Sequence, residues 1–186
     1  NREIAFSKYC EFFFNKYFPS MPAEKRKIRI KEMLERNNGG YVNYFEYLQS
    51  LFSDWGWDDA PPIEEIYREL QIRFPDCTTL LPEAIDVLKK LNGSGYKVGI
   101  ITNGPSLTQN RKLDVCGIRP FLNFAMVSGD VGVHKPDPEI FRLAASRLGV
   151  PCESCIYVGD HPINDIQGSA SAGMKPVYID IFGKDV

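Results

Sequence analysis

Three short stretches of this chain hold the residues able to do chemistry. Thr102-Asn103-Gly104-Pro105 follows the apolar run Val98-Gly99-Ile100-Ile101. Lys135 sits in Gly132-Val133-His134-Lys135-Pro136-Asp137-Pro138, after Phe124-Ala125-Met126-Val127 and Ser128-Gly129-Asp130. Asp160 and Asp165 follow Ile156-Tyr157-Val158-Gly159. Each apolar run reads as a buried strand, and each polar group as its carboxyl end, the edge at which open parallel sheets bind ligands. The Thr102 hydroxyl with backbone N–H groups around Asn103 and Gly104, at a helix start, suits an oxyanion or phosphate; the local alternative is an ordinary helix N-cap. Lys135 lies between a glycine-rich turn and a proline-locked helix start, so its backbone is constrained. A cation held there can neutralise a phosphate and the charge developing on it. Asp160 and Asp165, with no Lys or Arg between them, are costly together unless a cation neutralises them; the alternative is a cap and a solvated acid. A hard cation such as Mg2+ takes oxygen ligands, commonly one or two carboxylates with substrate phosphate. An anion cradle, a fixed cation and a carboxylate pair are an inventory for phosphoryl transfer, which runs on positioning and charge neutralisation. The missing part is a nucleophilic aspartate at a fourth strand end.

The elements that must hold these residues fall into two kinds. Up to Phe74 the pattern is helical. Phe6, Cys10, Phe13, Phe14 and Tyr17 recur at three- and four-residue spacing over Ile4–Phe18. A charged helix opens at Pro22 and stops at Asn37-Asn38-Gly39-Gly40, a third spans Asn43–Trp55, and a fourth starts at Pro61-Pro62 and ends near Phe74-Pro75. The aromatics of this block read as a helical core, with Trp55 and Trp57 the candidates for facing a ligand. From Pro82 the pattern alternates: helices over Pro82–Leu91, Ser106–Val115 and Pro138–Leu148, and strands at Val98–Ile101, Phe124–Val127, Ile156–Val158 and Val177–Ile179. The small-residue run Ile166-Gln167-Gly168-Ser169-Ala170-Ser171-Ala172-Gly173 reads as a further helix that packs closely on a sheet. That βαβαβαβ order predicts an α/β fold with a parallel sheet and helices on both faces.

Composition narrows the partners. A formal charge of −2 over 186 residues gives no footing for nucleic acid or an anionic membrane surface. The apolar runs are far shorter than the ~20 residues of a membrane span. Five cysteines, an odd number, fit a reducing cytoplasm better than a disulfide framework, and the Cys152–Cys155 pair lacks a second pair at zinc-ligand spacing.

The stretches ITNGP, SGDVGVHKPDPEIF and YVGDHPINDIQGSASAG, in this order, resemble the haloacid dehalogenase superfamily, in the subgroup with a helical cap inserted after the first strand. The resemblance implies a Rossmann-like three-layer core with a parallel sheet, over residues 79–186, and a helical-bundle cap over residues 1–78. It implies a magnesium-dependent phosphatase acting on a small phosphorylated metabolite through an aspartyl-phosphate. By motif, Thr102, Asn103 and Gly104 bind the transferred phosphoryl group and Lys135 bridges it to the nucleophile. Asp160 ligates magnesium, and Asp165 supports the metal directly or through water. No segment matches the family's first motif, Asp-x-Asp-x-Thr, whose strand lies between those of Val98 and Ile156. That motif is expected upstream of Asn1, a further strand and helix are expected after Asp180, and the chain as written is expected not to fold stably alone. A phosphate- and metal-binding module without catalysis, a phosphomutase and a dehalogenase are the alternatives; the two acids argue against the dehalogenase, which needs no metal.

Overall fold

The structure is a computed structural model that describes residues 2–38 and 42–180. The chain forms two compact units, Asn1–Pro82 and Glu83–Val186.

The first unit is a helical bundle: α1 (Arg2–Tyr17), α2 (Ala23–Arg36), α3 (Tyr44–Trp55) and α4 (Ile63–Asp76). The helices bury much of the stripe that their periodicity marks, although Ile28 of α2 stays exposed. Phe6, Tyr9, Cys10, Phe13 and Phe14 of α1 meet Leu48, Leu51 and Phe52 of α3 and Ile66, Leu70 and Phe74 of α4 in one core. Helix α3 begins where the Asn43 side chain accepts the Phe45 N–H at 3.1 Å and ends at Gly56, whose φ of 60° only glycine adopts cheaply. The stop expected after α2 falls partly on Gly39 and Gly40, outside the described residues. Trp55 and Trp57 pack against this aromatic core: the Trp57 ring lies 4.5 Å from Phe18 and 4.9 Å from Phe52, and the Trp55 indole donates to Glu32 at 3.0 Å.

The second unit runs α5 (Ala84–Gly93), β1 (Gly99–Thr102), α6 (Ser106–Val115), β2 (Phe124–Val127), α7 (Ser128–Val131), α8 (Pro138–Leu148), β3 (Ile156–Gly159), α9 (Gly168–Ser171) and β4 (Lys175–Tyr178). It has the α/β order that the sequence predicts, with parallel pairing throughout. Strand β1 pairs with β2, Gly99 opposite Phe124, and β3 pairs with β4, Ile156 opposite Lys175. Among the described residues no ladder joins β1 to β3. Val98, expected inside β1, sits one step before it because the Asn123 side chain takes its N–H at 2.7 Å in place of a strand partner. Helix α8 starts at the Asp137 cap, stops at Gly149 (φ 67°), and lays Ile140, Phe141, Ala144 and Ala145 against Ile101 and Met126. The small-residue run after Asp165 is split. Pro162–Gln167 forms one π-helical turn before α9, and Gly168 lets α9 approach closely, since a Cβ there would lie 2.8 Å from the Phe141 ring and 2.9 Å from the Pro136 carbonyl. One face of the β3–β4 pair leaves Ile156, Val158 and Val177 exposed. Among the described residues no helix is long and apolar enough to cross a membrane.

Candidate active site

The carboxyl ends of β1, β2 and β3 are joined by side chains. At the end of β1, the Asn103 amide clasps the backbone of Lys135: Oδ1 accepts its N–H at 2.9 Å and Nδ2 donates to its carbonyl at 2.8 Å. This clasp bridges 32 residues of chain and fixes where the lysine starts. The Gly104 N–H donates to Ser128 Oγ at 3.0 Å, and the Gly104 carbonyl accepts from Gly129 at 3.2 Å. Ser128 is buried. Gly129 has to be glycine, since a Cβ there would stand 2.8 Å from both the Gly104 carbonyl and the Ser106 nitrogen. Asp130 turns away to α6, accepting from the Asn110 amide at 3.1 Å.

Lys135 then reaches the end of β3. Its ammonium lies 2.6 Å from Asp165 Oδ1 and 3.0 Å from the Tyr157 hydroxyl, with the lysine side chain 12% and the aspartate side chain 6% exposed. The Tyr157 hydroxyl donates to the same oxygen at 3.3 Å, and its ring sits edge-on to Phe141, centroids 4.9 Å apart. The other oxygen of Asp165 accepts the backbone N–H groups of Asp160 at 3.2 Å and His161 at 3.1 Å. Burial pushes the Asp165 carboxyl up in pKa, but the Lys135 ammonium and the two N–H donors outweigh it, so the group lies below the ordinary carboxylate value. Burial, and next the Asp165 charge, push the Tyr157 phenol up, so it stays protonated and donates.

Asp165 therefore folds the loop that presents Asp160. The His161 imidazole completes that loop: Nδ1 accepts from Ile163 at 3.2 Å and Asn164 at 3.0 Å, capping the π-helical turn. Asp160 itself is exposed, beyond the last residue of β3. Gly159 leaves room for the acid behind it, because a Cβ there would sit 2.4 Å from Asp165 Cβ and 2.6 Å from Oδ2. Gly159→Ala is thus expected to displace Asp165 and cost about 1–3 kcal/mol of stability. Urea denaturation checks this, and an unchanged midpoint would show that the loop has slack.

The residues available for a divalent cation amount to a half-site. Both Asp165 oxygens are engaged by protein donors, and among the described residues no group of three His, Cys, Asp or Glu side chains could hold a metal. Asp160 remains, and a single carboxylate completed by phosphate oxygens and water is within the habit of Mg2+. Such a donor set fits the ion, and Asp160 is the residue that would hold it.

The structure places Thr102, Asn103, Gly104 and Lys135 at the carboxyl ends of the β1–β2 pair and Asp160 and Asp165 at that of the β3–β4 pair, the two joined through the Asn103–Lys135 and Lys135–Asp165 bonds. Their duties differ from a plain ligand roster. Asn103 spends its side chain on Lys135, Gly104 spends its N–H on Ser128, and Asp165 spends its carboxylate on Lys135 and the β3 loop. The sequence alone does not mark Tyr157, His161 or Ser128. Tyr157 looked like one more apolar strand residue; the polar tip on an alternating strand position was the signal that could have marked it.

A profile of the family described as haloacid dehalogenase-like hydrolase matches residues 13–173. The chain is 43% identical over 98 residues to a glyceraldehyde 3-phosphate phosphatase of Methanopyrus kandleri, covering 53% of this chain and 42% of that protein. It is 36% identical over 117 residues to a phosphoserine phosphatase of Thermus thermophilus, covering 63% and 45%. The chain thus spans less than half the length of these two relatives. The crystal structure of a HAD phosphatase from Thermococcus onnurineus superposes with a TM-score of 0.63 at 27% identity, over 97% of this chain and 83% of that one. With its strand-end motifs meeting around Lys135 and the match running over most of its length, the chain belongs to the haloacid dehalogenase-like hydrolase family.

Proposed function

We propose that this chain carries the phosphate- and magnesium-binding side of a phosphatase that hydrolyses a small phosphomonoester through an aspartyl-phosphate. The observation that carries the reading is the buried Lys135–Asp165 pair, 2.6 Å apart, with the exposed Asp160 carboxylate on the same loop. The Thr102 hydroxyl donates to a phosphoryl oxygen. The Lys135 ammonium, held by Asp165 and Tyr157, offsets the negative charge that the phosphoryl group and an attacking carboxylate bring together. Asp160 would hold Mg2+, which when bound would polarise the phosphoryl oxygens and neutralise their charge. The attacking aspartate comes from a strand seated between β1 and β3. Its attack on phosphorus expels the substrate's alcohol, and water then opens the acyl phosphate, releasing inorganic phosphate and restoring the carboxylate. Helices α1–α4 act as the cap that selects the substrate, residues 1–78 against a core of 79–186. Two relatives named for phosphorylated metabolites support the substrate class. Five free cysteines support a reducing, cytoplasmic setting.

The test is turnover of para-nitrophenyl phosphate by the full-length protein, with and without Mg2+. Hydrolysis that requires the metal is expected. Absence of hydrolysis with inorganic phosphate still bound would overturn the enzyme reading in favour of a binding module.

A further inference from the structure

We propose that Gln109 is a positioning residue that makes the Thr102 hydroxyl an obligatory hydrogen-bond donor toward a bound phosphate oxygen; this rests on the phosphatase reading above. Gln109 lies on α6 and its amide turns back to the end of β1. Its Nε2 donates to the Asn103 carbonyl at 2.9 Å and also to Thr102 Oγ1. A backbone carbonyl only accepts, so the amide nitrogen, not its oxygen, must face this corner. The Thr102 oxygen is therefore the acceptor of the Gln109 bond, and its own proton must point elsewhere. Among the described residues no acceptor is recorded for that proton.

Thr102 is only half-buried, so that proton is open to solvent or to a bound ligand. The Asn103 amide is taken up by the Lys135 backbone, and the Gly104 N–H by Ser128. Of the side chains on the Thr102-Asn103-Gly104 turn, the Thr102 hydroxyl and the second N–H of the Asn103 amide have a donor still to give. Gly104 also makes the arrangement possible. Its φ is +141°, and a Cβ there would stand 3.0 Å from Gln109 Cγ, in the path by which the glutamine returns. A hydroxyl locked as a donor favours a ligand that presents a bare acceptor oxygen at this point, as a phosphomonoester dianion does. It disfavours one that presents a P–OH or N–H group.

The experiment is a double-mutant cycle on the full-length protein, with Gln109→Met, Thr102→Val and the double variant. The readouts are inorganic phosphate affinity by calorimetry and kcat and KM for para-nitrophenyl phosphate. Gln109→Met alone is expected to weaken phosphate binding and kcat/KM about tenfold, the worth of one oriented hydrogen bond to an anion. In the Thr102→Val background it is expected to change neither by more than about twofold. Gln109→Glu, which keeps length and polarity, guards against a Gln109→Met that fails to fold. Its carboxylate only accepts and so draws the Thr102 proton to itself, and a loss at least as large is expected. Equal losses in both backgrounds would assign Gln109 a general packing role and overturn the proposal while the phosphatase reading stands. A wild-type protein that neither binds phosphate nor hydrolyses the ester would bring down both.

Discussion

Asp165→Ala is expected to be the most damaging single substitution in the second unit, lowering stability by about 3–5 kcal/mol. Against a total of about 5–15 kcal/mol for an ordinary domain, that is a large share. The cause is how many groups lose their acceptor together. The Lys135 ammonium at 2.6 Å, the Tyr157 hydroxyl at 3.3 Å and the backbone N–H groups of Asp160 and His161 all donate to this carboxylate. Removing it leaves a largely buried cation without its counter-charge and two loop amides without acceptors. Asp165→Asn keeps the shape and one acceptor, and is expected to cost less. The acid limb of the stability curve gives a second reading of the same group. Because its folded-state pKa is depressed, the Asp165 contribution is fully present above the unfolded value of about 3.9 and is lost as pH falls through the lower folded value. In Asp165→Asn that part of the acid dependence should vanish. Urea titrations at several pH values check both, and a loss below about 1 kcal/mol for Asp165→Ala would mean the pair is far better hydrated than its burial implies.

Asp160→Asn should behave in the opposite way, with the denaturation midpoint unchanged and turnover down about 10²–10³-fold. Asp160 is exposed, and its tie to Asp165 is made through its backbone N–H, which the substitution keeps. What is lost is the site's one carboxylate whose oxygens are not engaged by buried protein donors. The Mg2+ dependence of ester hydrolysis should weaken with the rate. Activity within about threefold of wild type would remove Asp160 from the chemistry and leave it a loop residue. Together the two aspartates separate holding the site from acting in it, a division that their five-residue spacing does not reveal.

The helices were legible where they bury a stripe. The expected Ser106–Val115 and Pro138–Leu148 match α6 and α8 to the residue, because caps and breakers flank them locally. The one-turn α7 and the π-helical turn were not legible. Each is a single turn, too short to show a hydrophobic period: the Gly132 N–H closes α7 on the Ser128 carbonyl, and the His161 imidazole caps the π-helical turn. The strand-end motifs were legible as a set, since residue type and placement after apolar runs suffice to suggest an anion and a cation side by side.

The sequence by itself determined the α/β class, the succession of strands and the three polar strand ends, because hydrophobic period, glycine and proline act over a few residues. Only the tertiary structure decided what each polar residue does. Asn103 became a clasp on Lys135, Tyr157 a second partner for its ammonium, and Asp165 the acceptor for that ammonium and two loop amides. Hydrogen-bond partners 22 to 32 residues apart in the chain are assigned by how the strand ends meet, and burial then makes each of those bonds too costly to leave unmade.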